Sequence, residues 1–146
     1  MDKKPHIGVL VRKPYLEMMK ALYEKMAAEG YEGSHIMYSG IFQFIGTGKR
    51  PTELAQLSGV SKQHMKFLLN NLEQMGYLQK DKDPLDKRAV IYSLSEKGWK
   101  RKERAYEIVH EMEREWTALI GEEEMDQLRE LLTKLGEQID KIVPPS

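Results

Sequence analysis

Between Pro51 and Gly98 the residues that start and stop secondary structure fall at close intervals, and their order leaves few possible folds. Thr52 can cap a short helix over Glu53–Ser58, and Gly59 ends it. Ser61 can cap a second helix, where Met65, Leu68, Leu69, Leu72 and Met75 recur at three-to-four spacing before Gly76. Tyr77–Lys82 and Ala89–Leu94 read as short strands joined by the polar turn Asp83-Pro84-Leu85-Asp86-Lys87-Arg88. The succession is helix, turn, helix, hairpin. Leu54, Ala55 and Leu57 are expected to anchor the first helix. The small Ala55 lets the second helix approach closely, and Gly59 permits the turn between them.

Both flanks read as helical. Pro14 suits a first helical turn, where its missing N–H is harmless. Tyr15, Met18, Met19, Leu22, Tyr23 and Met26 follow at helical spacing, and Gly30 and Gly33 stop the run. Ser34 can cap a further helix carrying Met37, Tyr38, Ile41, Phe42 and Ile45, which Gly46-Thr47-Gly48 breaks. From Ser95 the chain returns to helix, with Ala105, Val109, Met112, Trp116 and Leu119 in step. Gly121 interrupts, and Glu122, Glu123, Glu124 and Asp126 then sit where a helix dipole favours negative charge. Leu128, Leu131, Leu132, Leu135, Ile139 and Ile142 continue the rhythm up to Pro144-Pro145. The expected class is mainly α with a small β-hairpin wing, a winged helix-turn-helix over residues 34–98. Helices over 1–33 and 99–146 flank it.

Composition supports one globular body, with 40% of the 146 residues hydrophobic and 32% charged. The absence of cysteine excludes disulfides, thiol chemistry and cysteine-ligated zinc. No apolar run approaches the ~18 residues of a membrane span. The short run Ile7–Val11, interrupted by Gly8, falls below a signal-peptide core, so a soluble cytoplasmic chain is expected. A net charge of zero hides an uneven distribution. Residues 49–104 carry 13 basic and 7 acidic side chains, whereas residues 105–146 carry 4 and 11. A basic middle suits phosphate, which the acidic end would repel.

The second helix of a helix-turn-helix lies in the major groove with its N-terminal side chains at base edges. Here those are Ser61, Lys62, Gln63, His64 and Lys66, nearly all able to hydrogen-bond. Gln63 suits adenine, and Lys62 or Lys66 suits guanine or phosphate. The hairpin adds Lys80, Lys82, Lys87 and Arg88, and a narrow minor groove attracts an inserted arginine. Asp86 would repel phosphate, so it is read as bracing the wing turn or pairing with Arg88. Thr52, Ser61, Lys62, Gln63, His64, Lys66, Lys87 and Arg88 are thus the candidate DNA contacts.

Leu72-Glu-Gln-Met-Gly76-Tyr-Leu, then Asp83-Pro-Leu-Asp86-Lys-Arg88-Ala-Val-Ile-Tyr-Ser-Leu94-Ser95-Glu-Lys-Gly98, resembles the MarR family of bacterial transcription regulators. The likeness covers residues 50–98 in sequence, and helix order extends it over nearly the whole chain. It implies a homodimer, joined through dimerisation helices at 1–33 and 99–146, in which each subunit presents one winged helix-turn-helix to a palindromic operator. It also implies that Ser61–Lys66 read the major groove and Arg88 the minor groove. Asn71 and Lys80 stand where many members carry arginine, and the cysteine of the family's peroxide sensors is missing.

Trp116, Leu119, Leu128, Leu131, Leu135 and Ile139 would leave a monomer with an exposed apolar face. Either a twin covers it or the first helix of the same chain does. Many members bind a small aromatic or phenolic effector, and Met18, Met19, Tyr38, Phe42 and Trp99 are candidates to line such a pocket. The same side chains at helical spacing also make ordinary core, to which the chain's 9 methionines adapt readily. The four histidines show no ligand spacing, and no phosphate loop or nucleophile motif appears, so neither a metal, a cofactor nor an enzyme activity is expected. The rival function is a winged-helix protein-interaction module that does not bind DNA.

Overall fold

The computed structural model describes residues 3–142. Its elements are α1 (Ile7–Ala28), a 3-10 turn (Ile36–Tyr38), α2 (Ser39–Phe44), α3 (Pro51–Ser58) and α4 (Lys62–Gln74), followed by β1 (Leu78–Asp83), β2 (Asp86–Leu94), α5 (Glu96–Ile120) and α6 (Glu122–Ile142). The chain divides into two compact units, the second beginning at Val109. The first part of α5, up to Ile108, belongs to the first unit. Among the described residues no helix is long and apolar enough to cross a membrane.

In the first unit a single core is built from α2, α3, α4 and the hairpin. Tyr38, Ile41, Phe42 and Ile45 meet Leu54 and Ala55 of α3 and Met65, Leu68, Leu69 and Leu72 of α4. Tyr77, Leu78, Tyr92 and Leu94 close it. Leu57 does not join: it is 46% exposed. At 3.6 residues per turn, Leu57 points about 110° away from the midpoint of Leu54 and Ala55. A helix of 8 residues has no second apolar turn to reach round with.

Several helix starts differ from expectation, each because a different side chain reaches the free amides. α1 begins at Ile7, with the Val9 amide donating to His6 Nδ1 at 3.3 Å, and so Pro14 lies inside the helix. The cost is one absent backbone donor. Ser34 Oγ donates to the Tyr31 carbonyl at 2.7 Å, and His35 Nδ1 accepts from the Met37 amide instead. Arg50, not Thr52, is the N-cap of α3: its amide donates to Glu53 Oε1 at 3.0 Å, and Pro51 takes the first helical position. Ser61 does cap α4, accepting from the His64 amide at 3.0 Å.

The second strand is longer, and the turn tighter, than the sequence suggests, while the first keeps its six residues one position later. β1 and β2 pair antiparallel from Leu78↔Leu94 to Lys82↔Val90, and the register then shifts so that Asp83 meets Asp86. Lys87, Arg88 and Ala89 fall in that irregularity, a bulge that turns side chains off the ladder. Lys49 adds an isolated bridge to Tyr92 on the far edge of β2.

The Leu-Ser-Glu-Lys-Gly segment acts as a staple at the base of the hairpin. Ser95 Oγ accepts from the Gly98 amide at 3.1 Å and donates to the Gly76 carbonyl. Lys97 Nζ donates to the Met75 carbonyl at 2.7 Å. Gly98 is buried, and a Cβ there would lie 2.1 Å from the Tyr77 carbonyl oxygen.

The second unit holds the rest of α5 and α6. Arg129 donates to Glu113 at 2.9 Å, and Gly121 turns the chain with φ 105°. No described side chain of α6 is buried, and Leu128, Leu131, Leu132, Leu135, Ile139 and Ile142 are all exposed. Pro144-Pro145, expected to end this helix, lie outside the described residues.

Candidate nucleic-acid interface

α4 is held from one side only. Met65, Leu68, Leu69 and Leu72 are buried, and the opposite face carries Lys62, Gln63, His64, Lys66, Phe67 and Asn70 in solvent. What aims that face is the turn before it. Gly59 adopts φ 68°, ψ 31°, a left-handed conformation that a glycine takes without penalty. The Val60 amide then donates back to the Ala55 carbonyl at 3.1 Å, so α4 leaves α3 in one direction. Ser61, Lys62, Gln63, His64 and Lys66 thus share one exposed, hydrogen-bonding helix start whose free amides favour anions.

The wing presents a second group. Asp86 Oδ1 accepts from the Arg88 amide at 3.1 Å and lies 3.4 Å from Arg88 Nε. The Arg88 side chain is nonetheless 93% exposed. Lys87 is exposed beside it, as is Thr52 near the start of α3. Lys80 pairs with Glu73 at 3.9 Å, and Asn71 donates to the Tyr38 hydroxyl at 3.2 Å.

The residue that braces the wing most firmly is one the sequence reading passed over. Asp83 is buried, its Oδ1 accepting from the Leu85 amide at 2.9 Å and its Oδ2 from Arg50 Nε at 2.6 Å. Since Arg50 is also the cap of α3, this pair ties the hairpin turn to the helix-turn-helix. Separated by 33 positions, the two residues offer no local spacing that would pair them. The Leu85 amide and the Arg50 guanidinium hold the Asp83 carboxyl below the usual carboxylate range. A group so lowered stabilises the fold above its unfolded value near ~3.9 and ceases to as pH falls through the lower folded value. The stability advantage of the native chain over Asp83→Asn is therefore expected to be full at neutral pH and to shrink below about pH 4. Urea melts of both chains across that range would measure it. A difference independent of pH would mean that shape, not charge, braces the turn.

The five candidate effector residues, Met18, Met19, Tyr38, Phe42 and Trp99, sit in different surroundings. Tyr38 and Phe42 belong to the core, and Trp99 is 43% exposed with Lys102 Nζ 5.4 Å from its ring centre. The face of Phe42 is taken by Arg101, whose guanidinium carbon lies 4.0 Å from the ring centre. Arg101 is a buried cation that helical periodicity did not flag. Its Nη2 donates to the Gly33 carbonyl at 2.7 Å, and burial lowers its pKa. An open cavity of about 530 Å³ lies along α1 and the turn after it, lined by Leu16, Glu17, Met19, Lys20, Tyr23, Glu24, Ala27, Ser34, His35 and Ile36. Of the five, only Met19 borders it.

Comparison with known proteins settles the kinship. Residues 44–98 match the family model described as a winged helix DNA-binding domain. The HTH-type transcriptional regulator BilQ of Clostridium symbiosum is 33% identical over 102 residues, 66% of this chain and 71% of BilQ. The chain belongs to the MarR family. It is a DNA-binding transcriptional regulator. Solved structures share its fold. MarR superposes with a TM-score of 0.83 at 17% identity, over 97% of this chain and 96% of MarR. The repressor CouR, bound to a 23-mer DNA duplex, gives 0.72 at 22% identity over 90% and 92%. NadR in complex with 4-hydroxyphenylacetate gives 0.71 at 20% identity over 92% and 95%.

Proposed function

We propose that the protein is a homodimeric repressor that binds a palindromic operator and leaves it when a small aromatic anion binds. The observation that carries this reading is the pairing of one exposed, capped helix start, Ser61–Lys66, with a braced wing bearing Arg88. In this reading Gln63 and His64 read base edges, while Thr52, Ser61, Lys62, Lys66 and Lys87 hold phosphates and Arg88 enters the minor groove. Residues 34–98 are the DNA-binding part, and residues 1–33 and 99–146 join two copies.

Dimerisation is supported in each unit separately. α6 leaves its whole leucine and isoleucine face uncovered, and the first turns of α1 expose Ile7, Val9, Leu10 and Val11. A second copy is the partner that two-fold symmetry on a palindrome supplies. The effector reading rests on the cavity beside α1, where apolar walls meet Lys20, His35 and Tyr23 beside the carboxylates of Glu17 and Glu24. The NadR complex with a phenolic acid supports that class of ligand. Release requires the ligand to bind the DNA-free shape more tightly, not merely to bind.

One experiment tests the set. Duplexes selected from a random pool should converge on an inverted repeat, with affinity falling steeply with salt. The complex should hold two chains, so that the free protein sediments at twice 17.0 kDa. Adding phenolic acids should release the duplex. A 17.0 kDa species bound to an asymmetric site would sink the dimer; a complex indifferent to every acid would sink the effector.

A further inference from the structure

The outward face of α4 carries one side chain that neither phosphate binding nor hydrogen bonding explains. Of the three phenylalanines, Phe42 lies in the core and Phe44 packs against it, but Phe67 is 54% exposed. It stands four residues beyond Gln63 and three beyond His64, one helical turn along the same face. Lys66 and Asn70 flank it there, and both are exposed. The Phe67 ring stacks on the His64 imidazole, with planes 21° from parallel and centroids 6.1 Å apart. The aromatic pair thus fills the middle of a face otherwise made of amides and cations.

We infer that Phe67, oriented by His64, is a thymine reader whose ring packs on the C5-methyl group of a thymine in the major groove. The methyl is the one apolar feature a base pair presents there, and phenylalanine is among the side chains that contact it. A ring already stacked on its neighbour has less side-chain freedom to lose on docking. Lys62 and Lys66, exposed on the same helix start, draw in the phosphate backbone, and the favoured occupant is therefore DNA rather than an apolar protein surface. Gln63 one turn earlier suits adenine, so the face favours half-sites rich in A·T pairs with a required thymine methyl.

This assignment rests on α4 entering the major groove, and the test separates the two. The selected duplex is rebuilt with each thymine replaced in turn by deoxyuridine, which removes only the methyl. At one symmetric pair of positions the native protein should lose about fourfold in affinity per half-site, the worth of one buried methyl-sized group. Phe67→Ala should bind more weakly than the native chain and no longer distinguish thymine from uracil there. Because Phe67 is exposed, this variant keeps the fold, and an unchanged melting temperature would verify it. Equal binding of all uracil duplexes by the native chain overturns the assignment. So does a Phe67→Ala chain that still discriminates. If no duplex binds even at low salt, the major-groove reading falls with it; if duplexes bind but ignore the methyl, only the thymine reader falls.

Discussion

An Arg88→Ala chain should lose on the order of 10- to 100-fold in operator affinity while its melting temperature and assembly state stay unchanged. The affinity loss follows from position. Arg88 sits in the bulge of β2, off the ladder, with its side chain 93% exposed and its backbone fixed by Asp86. Removing it uncovers no core and strands no buried partner, because Asp86 keeps the amide of residue 88 and stays partly solvated. In the proposed docking, what goes is a cation that a narrow minor groove would attract, once per wing. Arg88→Lys should recover only part of the loss, since an ammonium restores charge but not the planar fork. Fluorescence anisotropy on the selected operator, read beside thermal melts, would measure both sides. Unimpaired binding by the alanine chain would remove the wing from the interface.

Gly98→Ala should have the largest effect on stability, about 3 kcal/mol, lowering the melting temperature on the order of 10 °C. The added methyl would sit 2.1 Å from the Tyr77 carbonyl oxygen and 3.1 Å from Leu94 Cδ2. Backbone cannot swing aside as a side-chain tip can, and this carbonyl already accepts from the Ser95 amide at 2.9 Å. Either α5 moves off the base of the hairpin or the hairpin moves off the core. Both loosen the staple formed by Ser95 and Lys97, so DNA affinity should fall as well. Calorimetric melting of the two chains decides this. A shift of less than a degree would show that the junction has room the close approach denies.

The local architecture was legible because its signals are local. Caps such as Ser61, stops such as Gly59 and Gly76, and the apolar spacing of α4 depend on residues within one or two turns of each other. Ser34 and Thr52 carry the side chains that favour a cap, yet His35 and Arg50 hold the cap positions, and no local preference signals that. Pro14 within α1 and the exposure of Leu57 were missed for a related reason. Each depends on how far an element runs and on which angle of it meets the core, not on the residue's own preference.

By itself the sequence determined the order of elements, the basic middle against the acidic end, and the run from Asp83 to Gly98 that marks the family. Tertiary structure alone decided which distant groups meet. It placed Arg50 on Asp83 across 33 positions, seated Arg101 over Phe42, and closed Tyr38 and Phe42 into the core. It also left the Phe67 ring outward, against His64. Helix and turn signals are energies between neighbours, readable from short windows. Contacts between remote residues depend on how whole elements pack, which no window of the chain contains.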